Sequence, residues 1–246
     1  KIPYCMFNVL NGGKHAPNDL DIQEFMIVPK FDDFKTSLRV ASEIFHNLKT
    51  LLEEKELVTS VGDEGGFAPD LDNNEEALMI LVKSIEMSGY IPGKNVFIAL
   101  DVAASSFYNS TNDTYRIDKK NITREELLEY YTTLVKKYPI ISIEDPFDED
   151  DEVGFKMITD TLGKKISIVG DDLFVTNKDI LKKGIEKGLC NAIIIKPNQV
   201  GTFYETLETI VLAKQHKYTP IISHRSGETT ETFISDLAVS LNIPFM

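Results

Sequence analysis

Five polar or charged side chains each follow a short apolar run of the chain, at its carboxyl end. They are Asp101, Glu144, Asp171, Lys196 and His224, and the last three intervals between them are 27, 25 and 28 residues. Such an interval suits one strand and one helix, so we expect successive barrel strands whose carboxyl ends meet at one mouth. Alternatively, each could be an ordinary solvated residue that follows a strand. Five such residues at successive strand ends favour a functional site.

Three of these side chains, Asp101, Glu144 and Asp171, are carboxylates. Carboxylates that are brought together repel each other and cannot all ionise cheaply without a counter-charge, which a hard cation supplies. Oxygen ligands suit Mg²⁺, with Mn²⁺ as a second candidate, whereas a set without Cys or His disfavours Zn²⁺. The alternative is a hydrogen-bonded carboxylate cluster without a metal.

Lys196 follows in the same series and is a candidate base. Beside a dication in a barrel mouth, a lysine is expected to have a lowered pKa, and its neutral amine can then abstract a proton. The alternative is a lysine that only forms a salt bridge with Asp171 or Glu144. Spacing alone does not separate these two interpretations.

Two glycine-containing turns add candidate residues. Residues 61–66 hold Asp63 and Glu64 among glycines, which permit a tight backbone around a ligand, and Glu64 can serve as a positioned acid. From this loop alone, an ordinary surface turn is the better explanation. The turn Asn11-Gly-Gly-Lys-His places His15 after the first strand.

A third loop combines cationic and hydroxyl side chains. It contains Ser223, His224, Arg225 and Ser226. These groups stand before the next predicted helix, and guanidinium, hydroxyls and a helix N-terminus together suit a phosphate or carboxylate ligand.

Short apolar runs alternate with amphipathic segments, which is typical of a parallel sheet covered by helices. Two consecutive helices, near 34–56 and 74–88, follow the first two strands, so the chain is expected to start as ββαα. Thr123 to Glu126 predicts a capping box that opens a helix through Val135, and a further helix is expected around 203–211. A hairpin-like insert is expected over 106–118. The predicted strands are 7–10, 25–28, 96–100, 140–143, 166–169, 192–195 and 220–222.

Composition excludes several classes of protein. The net charge of −13 over 246 residues repels phosphate backbones, so nucleic acid is not an expected partner. The longest apolar run has six residues, Ala77 to Val82, whereas a membrane helix needs about 20. The two cysteines, Cys5 and Cys190, show neither a disulfide framework nor metal-ligand spacing, which favours a reducing compartment.

Eight ordered motifs carry a family resemblance. They are Asn8–His15, Gln23–Met26, Val61–Pro69, Ala99–Ser105, Ile143–Phe147, Gly170–Leu173, Ile195–Thr202 and Ser223–Thr229. Through them the whole chain resembles the enolase (phosphopyruvate hydratase) family. The resemblance implies an α/β fold, a TIM-type (β/α)8 barrel of the enolase variety with its ββαα start.

The resemblance also implies an activity. It would be the Mg²⁺-dependent lyase step of glycolysis and gluconeogenesis, the reversible dehydration of 2-phosphoglycerate to phosphoenolpyruvate, in a cytoplasmic homodimer. Lys196 would correspond to the base that removes the α-proton, and Glu64 to the acid that assists loss of the hydroxyl. The implied Mg²⁺ ligands are Asp101, Glu144 and Asp171. The implied substrate-binding residues are His15, Gln23, Glu24, Ser223, His224, Arg225 and Ser226.

The chain starts at Lys1 rather than Met and stops in the apolar segment Ile243 to Met246. We therefore expect residues 1–246 to be the barrel domain truncated at both ends, with its last strand and helix incomplete and the family's N-terminal capping domain absent. This piece alone is expected to be inactive.

Two other functions remain open from the sequence. Another enolase-superfamily dehydratase or cycloisomerase also places carboxylates and a lysine at strand ends. Such proteins typically carry Lys-x-Lys on the second strand, which Phe25 to Val28 lacks. A non-catalytic scaffold of enolase-like fold is the second alternative.

Overall fold

The computed structural model describes residues 2–62 and 64–246, so Lys1 and Asp63, one of the two acids of the glycine-rich loop, lie outside the described residues. The strands are β1 (Phe7–Asn11), β2 (Glu24–Pro29), β3 (Val96–Asp101), β4 (Tyr108–Asn109), β5 (Thr114–Ile117), β6 (Lys120–Ile122), β7 (Ile140–Glu144), β8 (Ser167–Gly170), β9 (Ala192–Ile195) and β10 (Thr219–Ile222). The α-helices are α1 (Phe34–Glu54), α2 (Asn74–Met87), α3 (Arg124–Lys137), α4 (Glu152–Leu162), α5 (Lys178–Lys187), α6 (Pro197–Val200), α7 (Phe203–Gln215) and α8 (Phe233–Ser240).

The main sheet of the described residues has seven strands in the order β1-β2-β3-β7-β8-β9-β10. Strand β2 runs antiparallel to both β1 and β3, and β3, β7, β8, β9 and β10 are parallel to each other. The amino end of β2 therefore lies at the same edge as the carboxyl ends of the other strands. This reversal brings residues before and after different strands to one mouth.

The last residues of the chain lie between β10 and the segment that precedes β1. The Ile222 amide donates to the Phe245 carbonyl at 3.2 Å, and the Tyr4 amide donates to the Pro244 carbonyl at 2.9 Å. Met246 returns a hydrogen bond from its amide to the Tyr4 carbonyl at 3.0 Å. The two ends of the sheet are thus linked through this segment.

Every run that the sequence predicts as a strand forms a strand of the main sheet, within one or two residues at each end. Their side chains pack with the inward faces of the helices into one large buried core. The predicted helices begin at Phe34, Asn74, Arg124 and Phe203. The predicted hairpin insert is instead a three-stranded sheet, β4-β5-β6.

The predicted capping box is confirmed at the start of α3. The Thr123 hydroxyl accepts from the Glu126 amide at 3.3 Å, and the Glu126 carboxylate accepts from the Thr123 amide at 2.8 Å. These contacts satisfy two amides that a helix start otherwise leaves unpaired. Within the described part of the chain, no helix is both long and apolar enough to cross a membrane.

Candidate active site

A row of polar residues crosses the mouth of the sheet because of the strand register. Asn11 is paired with Glu24, Glu24 with Asp101, and Asp101 with Glu144. Glu24 joins this row from the amino end of β2 because that strand runs in reverse. Lys196 comes directly after β9, so the base candidate reaches the same mouth.

The mouth opens into a cavity of about 570 Å³. Of the residues that the sequence assigns to the site, those that line it are His15, Glu24, Glu64, Asp101, Glu144, Lys196, Ser223, His224, Arg225 and Ser226. Gln23 and Asp171 do not line the cavity themselves. Each contacts a lining residue: Gln23 Nε2 donates to Asp101 Oδ2 at 3.0 Å, and Asp171 Oδ2 accepts from Lys196 Nζ. The structure therefore brings the predicted residues together.

Asp101 and Glu144 are buried carboxylates that neighbour each other. Burial raises the pKa of Asp101 well above its ordinary value, and repulsion from Glu24, Asp145 and Asp171 raises it further. Burial likewise raises the pKa of Glu144, with Asp101 and Asp171 adding to the effect. Ionisation of Asp101, Glu144 and Asp171 together is therefore unfavourable in the protein alone, which fits a site that accepts a cation.

Lys196 forms an ion pair with Asp171 Oδ2. Burial of the amine opposes its charge, but the charges of Asp171 and Glu144 outweigh burial, so the pKa of Lys196 is raised above its ordinary value. The acids around the amine thus stabilise its protonated form, and the expectation of a lowered pKa beside a dication stays a prediction. The salt bridge considered as an alternative does form.

Glu64 reaches across the mouth to the loop after β10. Its Oε2 lies 2.8 Å from His224 Nε2, and its Oε1 accepts from the Ser226 hydroxyl. Burial opposes ionisation of Glu64, but these hydrogen bonds outweigh it and lower its pKa. The same contacts tie the glycine-rich loop to the loop that carries His224.

The N-terminus of the next helix does not directly follow the anion-binding candidates in the loop of residues 223–228. Helix α8 begins only at Phe233, so the expected helix dipole does not reach Arg225. The Arg225 amide instead donates to Glu228 Oε2 at 2.8 Å, and Ser223 donates to the His224 carbonyl at 2.9 Å. Arg225 and Ser226 are exposed at the cavity, where a guanidinium and a hydroxyl can contact an anion.

The donor atoms present at the mouth fit a hard cation. Asp171 Oδ1 is buried and, among the described residues, has no hydrogen-bond partner, which leaves an anionic oxygen for a metal. Asp101 and Glu144 supply further buried carboxylates at the same mouth.

Two groups of three side chains in the described residues bring their ligand atoms within 4.8 Å of one another, and neither is the predicted triad. They are His15, Glu24 and Glu64, and Asp145, Asp171 and Asp172. In the first, His15 Nδ1 lies 3.3 Å from Glu24 Oε1.

Sequence reasoning missed several residues that shape the site. Asn8 lines the cavity, Asp145 accepts hydrogen bonds from the amides of Asp171 and Asp172, and Thr176 accepts from the Lys196 amide at 2.9 Å. Asn8 and Asp145 fall inside motifs that carry the family resemblance, so position in a motif was an available signal. Thr176 lies outside these motifs, so no signal in the sequence pointed to it.

Comparison with known proteins places the chain in a family. The chain belongs to the family described as Enolase, C-terminal TIM barrel domain, which matches residues 1–244. It is similar to the protein named Enolase from a Nitratiruptor species, with 53% identity over 242 residues. That alignment covers 98% of this chain and 58% of the relative, so the chain spans less than two thirds of the relative's length. The predicted α/β class and the predicted family are confirmed.

Proposed function

We propose that the gene product containing this chain is a phosphopyruvate hydratase that interconverts 2-phosphoglycerate and phosphoenolpyruvate. The observation that carries the proposal is the convergence of Lys196, Glu64 and the buried acids on one cavity of the enolase barrel domain. The dehydration requires a base for the α-proton, an acid for the departing hydroxyl, and positive charge beside the substrate carboxylate, which a cation held by anionic oxygens can supply.

Lys196 is proposed to take the α-proton, which its Nζ can do once it is deprotonated and released from Asp171. The electron pair of the broken C–H bond is first delocalised into the substrate carboxylate. In a second step it becomes the new double bond as the C–O bond to the hydroxyl breaks. Glu64 supplies a proton so that the hydroxyl leaves as water.

The lowered pKa of Glu64 means that its carboxylate alone holds a proton poorly. We therefore propose that the proton is held by the Glu64–His224 pair, whose atoms are 2.8 Å apart, and that it is delivered from Glu64 Oε2. Arg225 and Ser226 are proposed to bind the substrate phosphate, and His15, Gln23, Glu24 and Ser223 to complete the pocket.

Asp101, Glu144 and Asp171 would hold Mg²⁺. When bound, Mg²⁺ would supply positive charge that stabilises the developing charge on the substrate carboxylate. We further propose that residues 244–246 act as the eighth barrel strand, in line with their hydrogen bonds to Tyr4 and Ile222. The cytoplasmic location and the homodimer stay predictions.

The direct test is an assay of phosphoenolpyruvate formation by the purified gene product, with Mg²⁺ and with a chelator. We expect turnover that requires Mg²⁺, and Mg²⁺ should raise the midpoint of thermal unfolding. Asp171→Asn should lose that thermal shift, whereas Asp160→Asn, which changes an exposed acid of α4, should keep it. Absence of turnover by the intact gene product, or turnover of unphosphorylated sugar acids instead, would contradict the proposal.

A further inference from the structure

Two asparagines of β1, Asn8 and Asn11, lie on the same side of the strand although they are three residues apart. Side chains of a regular strand alternate between its faces, so this spacing should place them on opposite sides. The pairing with β2 is irregular here: Asn8 faces Met26, whereas Leu10 faces Phe25, so β1 contains one extra residue, Val9. This β-bulge re-aims the chain and lets Asn8 Nδ2 donate to Asn11 Oδ1 at 2.9 Å.

The same pair contacts the glycine-rich loop that carries Glu64. Asn8 Nδ2 also donates to the Glu64 carbonyl at 3.2 Å, which fixes the backbone of Glu64 to β1. Beyond the loop, the Asn11 amide donates to the Phe67 carbonyl at 2.8 Å, and the Phe67 amide donates to the Val9 carbonyl at 2.9 Å. The loop is therefore held to β1 both at Glu64 and at its end.

Glycines let the loop close directly onto the Asn11 carboxamide, which is fully buried. A Cβ at Gly66 would overlap Asn11 Oδ1, and a Cβ at Gly62 would lie 3.3 Å from Asn11 Cβ and 2.8 Å from the His15 carbonyl. Replacement of either glycine would push the loop away from β1. The two glycines and the asparagine pair thus specify one position for the loop.

In the part of the chain that the structure describes, the asparagine pair leaves two of its own polar atoms unpaired, so stability alone does not explain it. Among the described residues, Asn8 Oδ1 and Asn11 Nδ2 are buried without a hydrogen-bond partner. An unpaired buried polar atom destabilises the folded protein, because it has lost its hydrogen bonds with water. Two such atoms beside the predicted acid, with Asn8 itself lining the cavity, are more easily explained by a positioning role than by packing.

We propose that Asn8, supported by Asn11 across the β-bulge, is a positioning residue for Glu64. It holds the Glu64 backbone while His224 and Ser226 hold the carboxylate, so that Glu64 is fixed at the place where hydroxide departs. Asn8 touches no reacting atom in this account. The inference rests on the proposed function, because it assigns Asn8 to the acid step of that reaction and not to the base step.

The test separates those two steps in the full gene product with Mg²⁺. Exchange of the α-proton of 2-phosphoglycerate with solvent deuterium reports Lys196, and phosphoenolpyruvate formation also requires Glu64. In Asn8→Leu, which removes the Nδ2 donor without adding charge, we expect phosphoenolpyruvate formation to fall about 10²-fold, the typical effect of a small displacement of a catalytic group. Exchange should stay close to that of the unmodified protein. Asn8→Ala serves as the second variant if Asn8→Leu does not fold.

The matched control is Asn47→Leu, because Asn47 Nδ2 makes a similar bond, 2.8 Å to Ser88 Oγ, between α1 and α2 and away from the mouth. It should change neither rate. Adding Asn8→Leu to Glu64→Gln should cause no further loss of dehydration if Asn8 acts through Glu64.

Each contrary result has a distinct meaning. Equal losses of exchange and dehydration in Asn8→Leu, unchanged dehydration, or a full additional loss in the Glu64→Gln background would overturn the positioning role alone. An unmodified gene product that neither exchanges nor dehydrates 2-phosphoglycerate would overturn the proposed function and this inference with it.

Discussion

At the scale of single residues, Asp145 ties the carboxyl ends of β7 and β8 together. Its Oδ1 accepts from the Asp171 amide at 2.9 Å, and its Oδ2 accepts from the Asp172 amide at 2.7 Å. Burial raises the pKa of Asp145 to about 8, and the charge of Asp171 adds to the increase. The position of Asp171 therefore depends on an acid that the sequence analysis left unassigned.

The raised pKa of Asp145 predicts a pH dependence of stability. Its ordinary pKa is 3.8, so between about pH 4 and about pH 8 the folded chain binds more protons than the unfolded chain. The free energy of unfolding should therefore fall as the pH rises through this window. We expect thermal unfolding in chelator to show that fall in the unmodified protein and a smaller one in Asp145→Asn. A fall of equal size in both proteins would show that Asp145 is not its source.

The residues of the mouth could largely be predicted. Five of them follow apolar runs that are long enough to be strands, and others, such as Glu24 and Glu64, were named through the family motifs. Their protonation could not be predicted, because it depends on neighbours from other strands. The pKa of Lys196 is raised by acids that stand 25 and 52 residues earlier in the chain, Asp171 and Glu144. The Asn8–Asn11 contact was also out of reach because it requires a bulge that alternation does not reveal.

At the scale of elements, helices α4 and α5 show why periodicity missed part of the fold. Each contains a glycine, Gly154 or Gly184, which weakens a helix by about 1 kcal/mol relative to alanine. In the structure these glycines let the helices approach aromatic rings: a Cβ on Gly154 would lie 2.5 Å from the Phe147 ring, and one on Gly184 would overlap the Phe174 ring. Tertiary packing therefore overrides local propensity at both positions.

The capping box of α3 gives the prediction at this scale. Thr123→Ala removes the hydroxyl that accepts from the Glu126 amide, so we expect a loss of about 1 kcal/mol in the free energy of unfolding. Urea titration measures this change. The control is Thr133→Ala in the exposed middle of the same helix, which should be neutral or slightly stabilising because alanine favours helices. Equal losses in both variants would argue against a specific role of the cap.

At the scale of the whole molecule, an aromatic cluster holds the last residues against the sheet. The ring of Phe245 lies 6.0 Å from that of Tyr4, and Lys30 Nζ lies 4.6 Å from the Phe97 ring and 5.9 Å from the Phe245 ring. These contacts add cation–π attraction to the backbone hydrogen bonds of residues 244–246. The cluster joins four segments that are distant in the chain.

Phe245→Ala should therefore destabilise the fold. Removal of a buried phenylalanine costs about 3–5 kcal/mol, and because Phe245 is partly buried we expect about 2 kcal/mol, measured by urea unfolding. Phe203→Ala, in the exposed first turn of α7, is the matched control and should cost much less. If Phe245→Ala were as mild as the control, residues 244–246 would contribute little to the stability of the fold.

The overall class could be predicted from the alternation of strands and helices, and the family from its motifs. The place of the last strand was expected only through the family resemblance, because the apolar run of residues 243–246 is too short to be told from a loop by its pattern. Its hydrogen bonds with Tyr4 and Ile222 come from the structure alone. Long-range pairing of this kind leaves no periodic signal in the sequence.

The central claim is that Lys196 and Glu64 act in separate steps on one substrate, and isotope exchange tests it most directly. The gene product with Mg²⁺ is incubated with 2-phosphoglycerate in deuterated water, and deuterium at the α-carbon is measured beside phosphoenolpyruvate. We predict that Lys196→Ala loses both signals, whereas Glu64→Gln loses phosphoenolpyruvate formation and retains exchange. Persistent exchange in Lys196→Ala would contradict the account.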